Sequence, residues 1–330
     1  MSRLIYFDNI KFVLITLVVV GHSMDLFVSK NDWLRSIYVF IYLFHMPMFV
    51  FVSGYFVKAE LTAKEIVKTV NSVCIPYIIF QLIQWTISGD ISNIMNYNML
   101  NPGWTLWYLQ CLFFWRLLTP FLIKIPFILP LSFSFAIGCG FIEKIGIELS
   151  LSKTIVFLPF FLLGFFFRKN KYDIKRIFSH KVLSVLLIIL FFCLSVKFRW
   201  IDKAVLLNNS SYYFQNNIYE AVLYRLFYLI IAFTLGLSVL SLIPDKILLF
   251  SKIGRRTLII YLTHPLLFIG LQKMGFYNYF QNNDLYFILI PIGVLVTFLL
   301  STDIVEKVMN PIIYPMHYIK QIIYTPRRLN

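Results

Sequence analysis

Ten apolar runs, each near the length that carries a helix across a lipid bilayer, set what this 330-residue chain can fold into. A spanning helix needs about 20 largely apolar residues, because each adds about 1.5 Å of rise and the hydrocarbon layer is about 30 Å thick. The runs lie at 8–28, 34–57, 69–89, 104–123, 125–142, 154–168, 182–198, 218–243, 257–276 and 285–305. Those at 154–168 and 182–198 are short, and 125–142 carries Pro126 and Pro130, so one of these three is expected to be tilted, broken or re-entrant. Lipid offers no partner to a backbone N–H or C=O, so each run must satisfy its own hydrogen bonds as a helix. The expected fold is all-α: a polytopic integral membrane helix bundle of about ten transmembrane helices. It forms a single domain over 1–330, with 305–330 as a short basic tail.

Composition agrees. Hydrophobic residues make up 59% of the chain and charged residues 14%, with 35 Phe and 20 Tyr, against roughly 45–50% and 25% in a soluble domain. Mean hydropathy is +0.78. Soluble, fibrous, disordered and small disulfide-scaffold classes are excluded together. A net charge of +15 would point a soluble protein toward nucleic acid, but in a membrane protein basic residues mark the cytoplasmic loops. With the N-terminus inside, nineteen of the 30 Lys and Arg fall on the cytoplasmic side, eight on the outer side and three inside helices. That bias predicts both termini in the cytoplasm and an even helix count. The first run lacks a small-residue cleavage site and reads as an uncleaved membrane helix. Cys74, Cys111, Cys139 and Cys193 sit in apolar runs without metal-ligand spacing and read as packing residues.

A titratable group at membrane depth costs at least about 2.5–3.5 kcal/mol on insertion scales, so each one is a candidate for function. Lys11 and His22 are eleven residues apart. At about 100° per residue they share one helix face, separated by a rise of about 16 Å. Asp8 lies one turn before Lys11, and Asp25 one turn after His22. Read singly, Lys11 is also placed to snorkel and His22 to hold a neighbouring helix. The shared stripe argues instead that this helix lines a polar path. In Phe44-His45-Met46-Pro47 and in Tyr261-Leu262-Thr263-His264-Pro265 a histidine stands beside a proline. Each proline frees a carbonyl one turn earlier, which lipid tolerates only where protein or water repairs it. Arg116 lies about two turns from the cytoplasmic end of the fourth run, and Arg225 about two turns inside the outer end of the eighth, five residues after Glu220. Guanidinium forks suit phosphate or carboxylate, and an Arg225–Glu220 ion pair explains that residue equally well. Trp104, Trp107 and Tyr108 open the fourth run, as an interfacial aromatic belt or as platforms for sugar rings. Walker A, GxGxxG, HExxH, GxSxG and CxxC motifs are all absent from the sequence.

Tyr6-Phe7-Asp8-Asn9-Ile10-Lys11, leading to Val19-Val20-Gly21-His22, resembles the first-helix signature of the acyltransferase 3 family of integral membrane acyltransferases, in its fucose 4-O-acetylase-like branch. Phe44–Phe49 running into Phe51–Phe56 resembles the second-helix signature. Trp104–Leu109, Leu158–Gly164 and Tyr261–Pro265 resemble later blocks, in family order. The resemblance implies transfer of an acyl group, usually acetyl from cytoplasmic acetyl-CoA, to a sugar hydroxyl of a cell-surface polysaccharide, glycolipid or lipid-linked precursor. On that reading His22, Lys11 and Asp25 are catalytic. Lys11, Arg116 and Asp8 hold the donor, and His45, Trp104, Trp107, Arg225 and His264 bind the acceptor. Histidine suits the base, since a sugar hydroxyl is a poor nucleophile at neutral pH. Asp25 or Asp8 would orient the imidazole or pair with Lys11. Acetyl-CoA is then a co-substrate, with no permanently bound cofactor or metal and no nucleic acid partner. The expected location is a bacterial plasma membrane. A transporter or flippase for a glycan precursor is the competing reading, although no internal repeat supports it.

Overall fold

The computed structural model describes residues 2–88, 98–142, 148–201, 203–208, 211–214 and 217–317. Among these residues the chain is all-helical, and each of the ten apolar runs contains a helix. The principal helices are α1 (Ser2–Met24), α2 (Asp32–Phe56), α3 (Ala63–Ser88), α4 (Trp107–Leu122), α5 (Ile128–Gly138), α6 (Leu151–Lys169), α7 (Lys181–Lys197), α8 (Ile218–Leu242), α9 (Thr257–Lys273), α10 (Leu289–Leu300) and α11 (Asp303–Ile313). Side-chain caps start several of them where the sequence offers a short polar residue. Asn31 accepts from the Leu34 N–H, Thr62 from Glu65 and Asn217 from Tyr219.

Helix lengths differ from the sequence expectation. Five helices among the described residues are long and apolar enough to cross a membrane: α1, α2, α3, α6 and α8. The α4, α7 and α9 helices have 16, 17 and 17 residues, about 24–26 Å of rise. Pro126 and a left-handed Phe127 (φ 55°) precede α5, which starts at Ile128, takes Pro130 into its first turn and runs for only 11 residues. The break does not fall at 154–168 or 182–198, where α6 and α7 are continuous. It falls in the tenth run, where the chain bends by 71° between the segments Tyr286–Leu300 and Asp303–Ile313. Polar Ser301 and Thr302 interrupt the apolar pattern there, and the Arg256 guanidinium bonds both the Ser301 carbonyl and the Asp303 carboxylate. The tail beyond 317, the greater part of the connection 90–103, and Lys144 lie outside the described residues.

α2 is the central helix, with most residues from Leu34 to Tyr55 buried. It crosses α6 at two glycines. A Cβ on Gly54 would stand 1.9 Å from the Phe161 carbonyl oxygen, and one on Gly164 would stand 1.9 Å from that of Phe51. Backbones touch there because neither residue has a side chain, the usual way helices pack closely in lipid. α1 is fixed at both ends. Tyr6 donates to the Leu240 carbonyl at the end of α8 (2.8 Å), and Ser23 donates to the Leu289 carbonyl at the start of α10 (2.8 Å). The Lys11 end of α1 therefore lies beside the end of α8, and the His22 end beside the start of α10.

Candidate active site

Lys11 forms an ion pair with Asp8, Nζ to Oδ1 2.7 Å, and Arg255 approaches the other Asp8 oxygen at 3.7 Å. The Lys11 side chain faces a cavity of about 240 Å3, which Lys58, Lys68 and Arg116 also line. Four cations thus meet at one end of the bundle, against Glu60 and Glu65 in the same wall, with Lys58 bonded to Glu65 at 2.5 Å. Arg116 is steadied by one hydrogen bond, Nη1 to Ser72 Oγ at 3.0 Å, which leaves most of its fork uncommitted among the described groups. Ser72 lies in a π-helical turn of α3, Val70–Cys74. Such turns often occur at functional sites. The structure thus brings Lys11 and Arg116 to one cavity, while Asp8 supports Lys11 from behind.

The second centre lies at the other end of the stripe. His22 and His264 have ring centroids 5.4 Å apart, and Trp104 stands edge-on to His22 at 4.7 Å. His264 Nδ1 lies 2.8 Å from the Ile260 carbonyl. A carbonyl can only accept, so Nδ1 carries the proton and the neutral ring keeps a lone pair on Nε2. Among the described residues that Nε2 is buried without a hydrogen-bond partner, and so is His22 Nδ1. Two unsatisfied ring nitrogens this close, in a membrane protein interior, are costly unless something binds between or beside them. His45 is tied in the same way, Nδ1 to the Ile41 carbonyl at 2.7 Å, and its ring meets Tyr42 at 4.7 Å, which in turn lies 6.4 Å from His22.

A file of polar aromatic side chains joins the two centres. Ser53, in the wall of the basic cavity, is hydrogen-bonded to the Tyr108 hydroxyl. The Tyr108 ring lies 5.6 Å from Tyr261, which donates to the Thr105 carbonyl and lies 6.2 Å from His264. Ser53, Tyr108 and Tyr261 stood inside the quoted blocks, but nothing in their spacing marks them as neighbours.

Several candidates sit apart from the histidine pair. Asp25 does not reach either ring. It accepts from the Tyr38 hydroxyl at 2.8 Å and pairs with Lys203 at 2.6 Å. Tyr38 stacks on Tyr42 at 3.9 Å, so Asp25 reaches the site through two tyrosines. Trp107 stacks on Phe157 and lies under the Lys153 ammonium, 4.4 Å from its ring. Arg225 makes no ion pair with Glu220. It donates instead to the Ala136 carbonyl at 3.2 Å and faces a separate apolar cavity. Lys153, Lys203, Tyr38 and Tyr42 drew no attention in the sequence, because a Lys near a loop and a Tyr in an apolar run are both common.

The sequence is similar to known proteins over about half of its length. It is 29% identical over 188 residues to the nodulation protein NolL of Sinorhizobium fredii, covering 51% of this chain and 50% of that protein. It is 27% identical over 185 residues to NolL of Mesorhizobium japonicum, covering 50% and 48%. The chain thus matches about half the length of these curated relatives. No solved structure matches it. A family profile described as an acyltransferase domain matches residues 4–302, which takes in both histidines, the basic cavity and the crossing of α2 with α6, and the chain belongs to that acyltransferase 3 family.

Proposed function

We propose that this chain is a membrane O-acyltransferase that carries an acetyl group from cytoplasmic acetyl-CoA to a sugar hydroxyl of a cell-surface or lipid-linked glycan. The observation that carries the reading is a pair of ring nitrogens, His22 Nδ1 and His264 Nε2, unpartnered among the described residues and about 16 Å of helix rise from a cavity lined by four cations. The cations suit the phosphates of coenzyme A, and the spacing suits an extended pantetheine arm. Tyr108 and Tyr261 fill the way between, so the arm enters by displacing side chains rather than backbone.

His22 acts as general base and His264 accepts a hydrogen bond from the acceptor or from His22. As the sugar oxygen attacks the thioester carbonyl, its proton passes to His22. The new C–O bond forms and the C–S bond breaks, and the departing thiolate takes the proton back from the imidazolium. Trp104, partly exposed beside His22, supplies a face for the sugar ring. Family membership supports acyl transfer, and the ten apolar runs support about ten crossings. The positive-inside bias supports both termini in the cytoplasm, and the bacterial relatives support a bacterial cell. The test is transfer of radiolabelled acetyl from acetyl-CoA to glycan in membranes with and without the protein. Labelling that is independent of the protein overturns the reading.

A further inference from the structure

Arg225 is 95% buried, with only 5% of its surface exposed, yet no carboxylate pairs with it among the described residues. One nitrogen, Nη1, bonds the Ala136 carbonyl in the last turn of α5 and the Cys139 sulfur at 3.8 Å, and the guanidinium lies over the Tyr212 ring at 5.5 Å. These neutral partners leave its net charge uncompensated, an arrangement whose desolvation cost is several kcal/mol per ion unless an anion is supplied. Arg225 lines a cavity of about 290 Å3, and the remaining wall is largely hydrocarbon: Val39, Leu43, Phe191, Leu194, Phe227 and Ile231. Polar atoms enter that wall from Ser195, Asn208, Tyr212, Tyr224 and Tyr228. The helices that build the wall, α7 and α8, also present Leu186, Ile189, Leu190, Leu223 and Ile230 outward, as lipid-facing helices do.

Depth supports the same occupant. Arg225 stands seven residues into α8, about 10 Å from the helix start, which puts it near the boundary between headgroup and hydrocarbon. An inorganic anion would satisfy the charge but leave the apolar wall dry. A neutral lipid would fill the wall but leave the charge unmet. We propose that this cavity binds an anionic membrane lipid, its phosphate on the free donors of Arg225 and its first hydrocarbon segment against α2, α7 and α8. The site is separate from the histidine pair but shares α2 with it, since Val39 and Leu43 face the cavity while Tyr42 and His45 belong to the site. It does not rest on the acyl-transfer reading, because its readout is bound lipid.

The full chain, purified in mild detergent, is titrated with phosphatidylglycerol or phosphatidylcholine and the complexes are counted by native mass spectrometry. Phosphatidylglycerol is expected to bind about tenfold or more tightly than phosphatidylcholine, and Arg225→Gln to remove that preference, as loss of charge-assisted hydrogen bonds implies. Leu194→Trp, which fills the cavity and keeps Arg225 on Ala136, is expected to weaken phosphatidylglycerol to the same degree and decides the matter if Arg225→Gln does not fold. Equal binding of the two lipids, or unchanged binding by Leu194→Trp, overturns the proposal. Displacement of the lipid by inorganic phosphate at matching concentration also overturns it, since the site would then be one for a free anion.

Discussion

His22 and His264 each present a buried nitrogen that has no hydrogen-bond partner among the described residues. If His22 is the base, His22→Ala should extract and fractionate like the parent while acetyl transfer falls by about 10²–10⁴. His22→Gln should fail equally, because it keeps a hydrogen-bonding group that cannot take the proton. Full transfer by a stable His22→Ala protein would exclude this role and move attention to His45. The His264→Ala change should cost nearly as much, and the double variant little more than either single one, since groups acting as a unit do not add. Additive losses in the double variant would separate the two rings functionally.

On the proposed reading, two further residues hold the donor at a distance from the chemistry. Lys11 and Arg116 share the basic cavity, so Lys11→Ala and Arg116→Ala should each raise the KM for acetyl-CoA by about tenfold, as expected for a charge-assisted contact. The KM for the acceptor should stay within twofold. Lys11→Arg should retain part of the activity, whereas Arg116→Lys should retain less, because a lysine lacks the planar fork. Steady-state kinetics with the donor and acceptor varied separately decides this, and an unchanged donor KM would detach the cavity from the donor.

At the scale of elements, the crossing of α2 and α6 holds the site in register. Gly54 and Gly164 allow backbone contact that any Cβ would prevent, since a methyl group would meet a carbonyl oxygen at 1.9 Å. Gly54→Leu and Gly164→Leu should therefore lower the yield of folded protein and its Tm in detergent, with overpacking costing about 1–3 kcal/mol or more. Gly138 and Gly270 have open space around the position of a Cβ and serve as controls. Alanine at either should leave Tm nearly unchanged. Equal melting of all four variants would show that the crossing is not tight. The first-helix signature and the two His–Pro blocks were readable as sequence because helical period fixes which residues share a face. The partner of each face was not, because it depends on which helices touch.

For the molecule as a whole, the charge bias makes a topological prediction. Lys171 and Lys30 are both exposed, at opposite ends of the bundle. In a cysteine-free background, Lys30→Cys should react with an impermeant maleimide in intact cells, and Lys171→Cys only after the membrane is opened. The reverse pattern would place the basic cavity outside the cell and remove its access to acetyl-CoA.

The sequence alone determined the solvent, the secondary structure and the stripe that joins Lys11 to His22, because hydropathy and a period of 3.6 residues are local properties. It also carried the family, through short blocks that keep their order along the chain. Tertiary structure decided the rest. The bend between α10 and α11 sits where Arg256, from the chain just before α9, bonds the Ser301 carbonyl and the Asp303 carboxylate. Asp25 went to Lys203 and Tyr38 rather than to an imidazole, and Arg225 to a carbonyl and a greasy cavity rather than to Glu220. Lys58 and Lys68 joined Lys11 and Arg116 because α1 to α4 converge at one end. A charge near the end of an apolar run has many partners within reach of its side chain. Which one it meets is set by the packing of distant helices, and spacing along a single helix does not encode that.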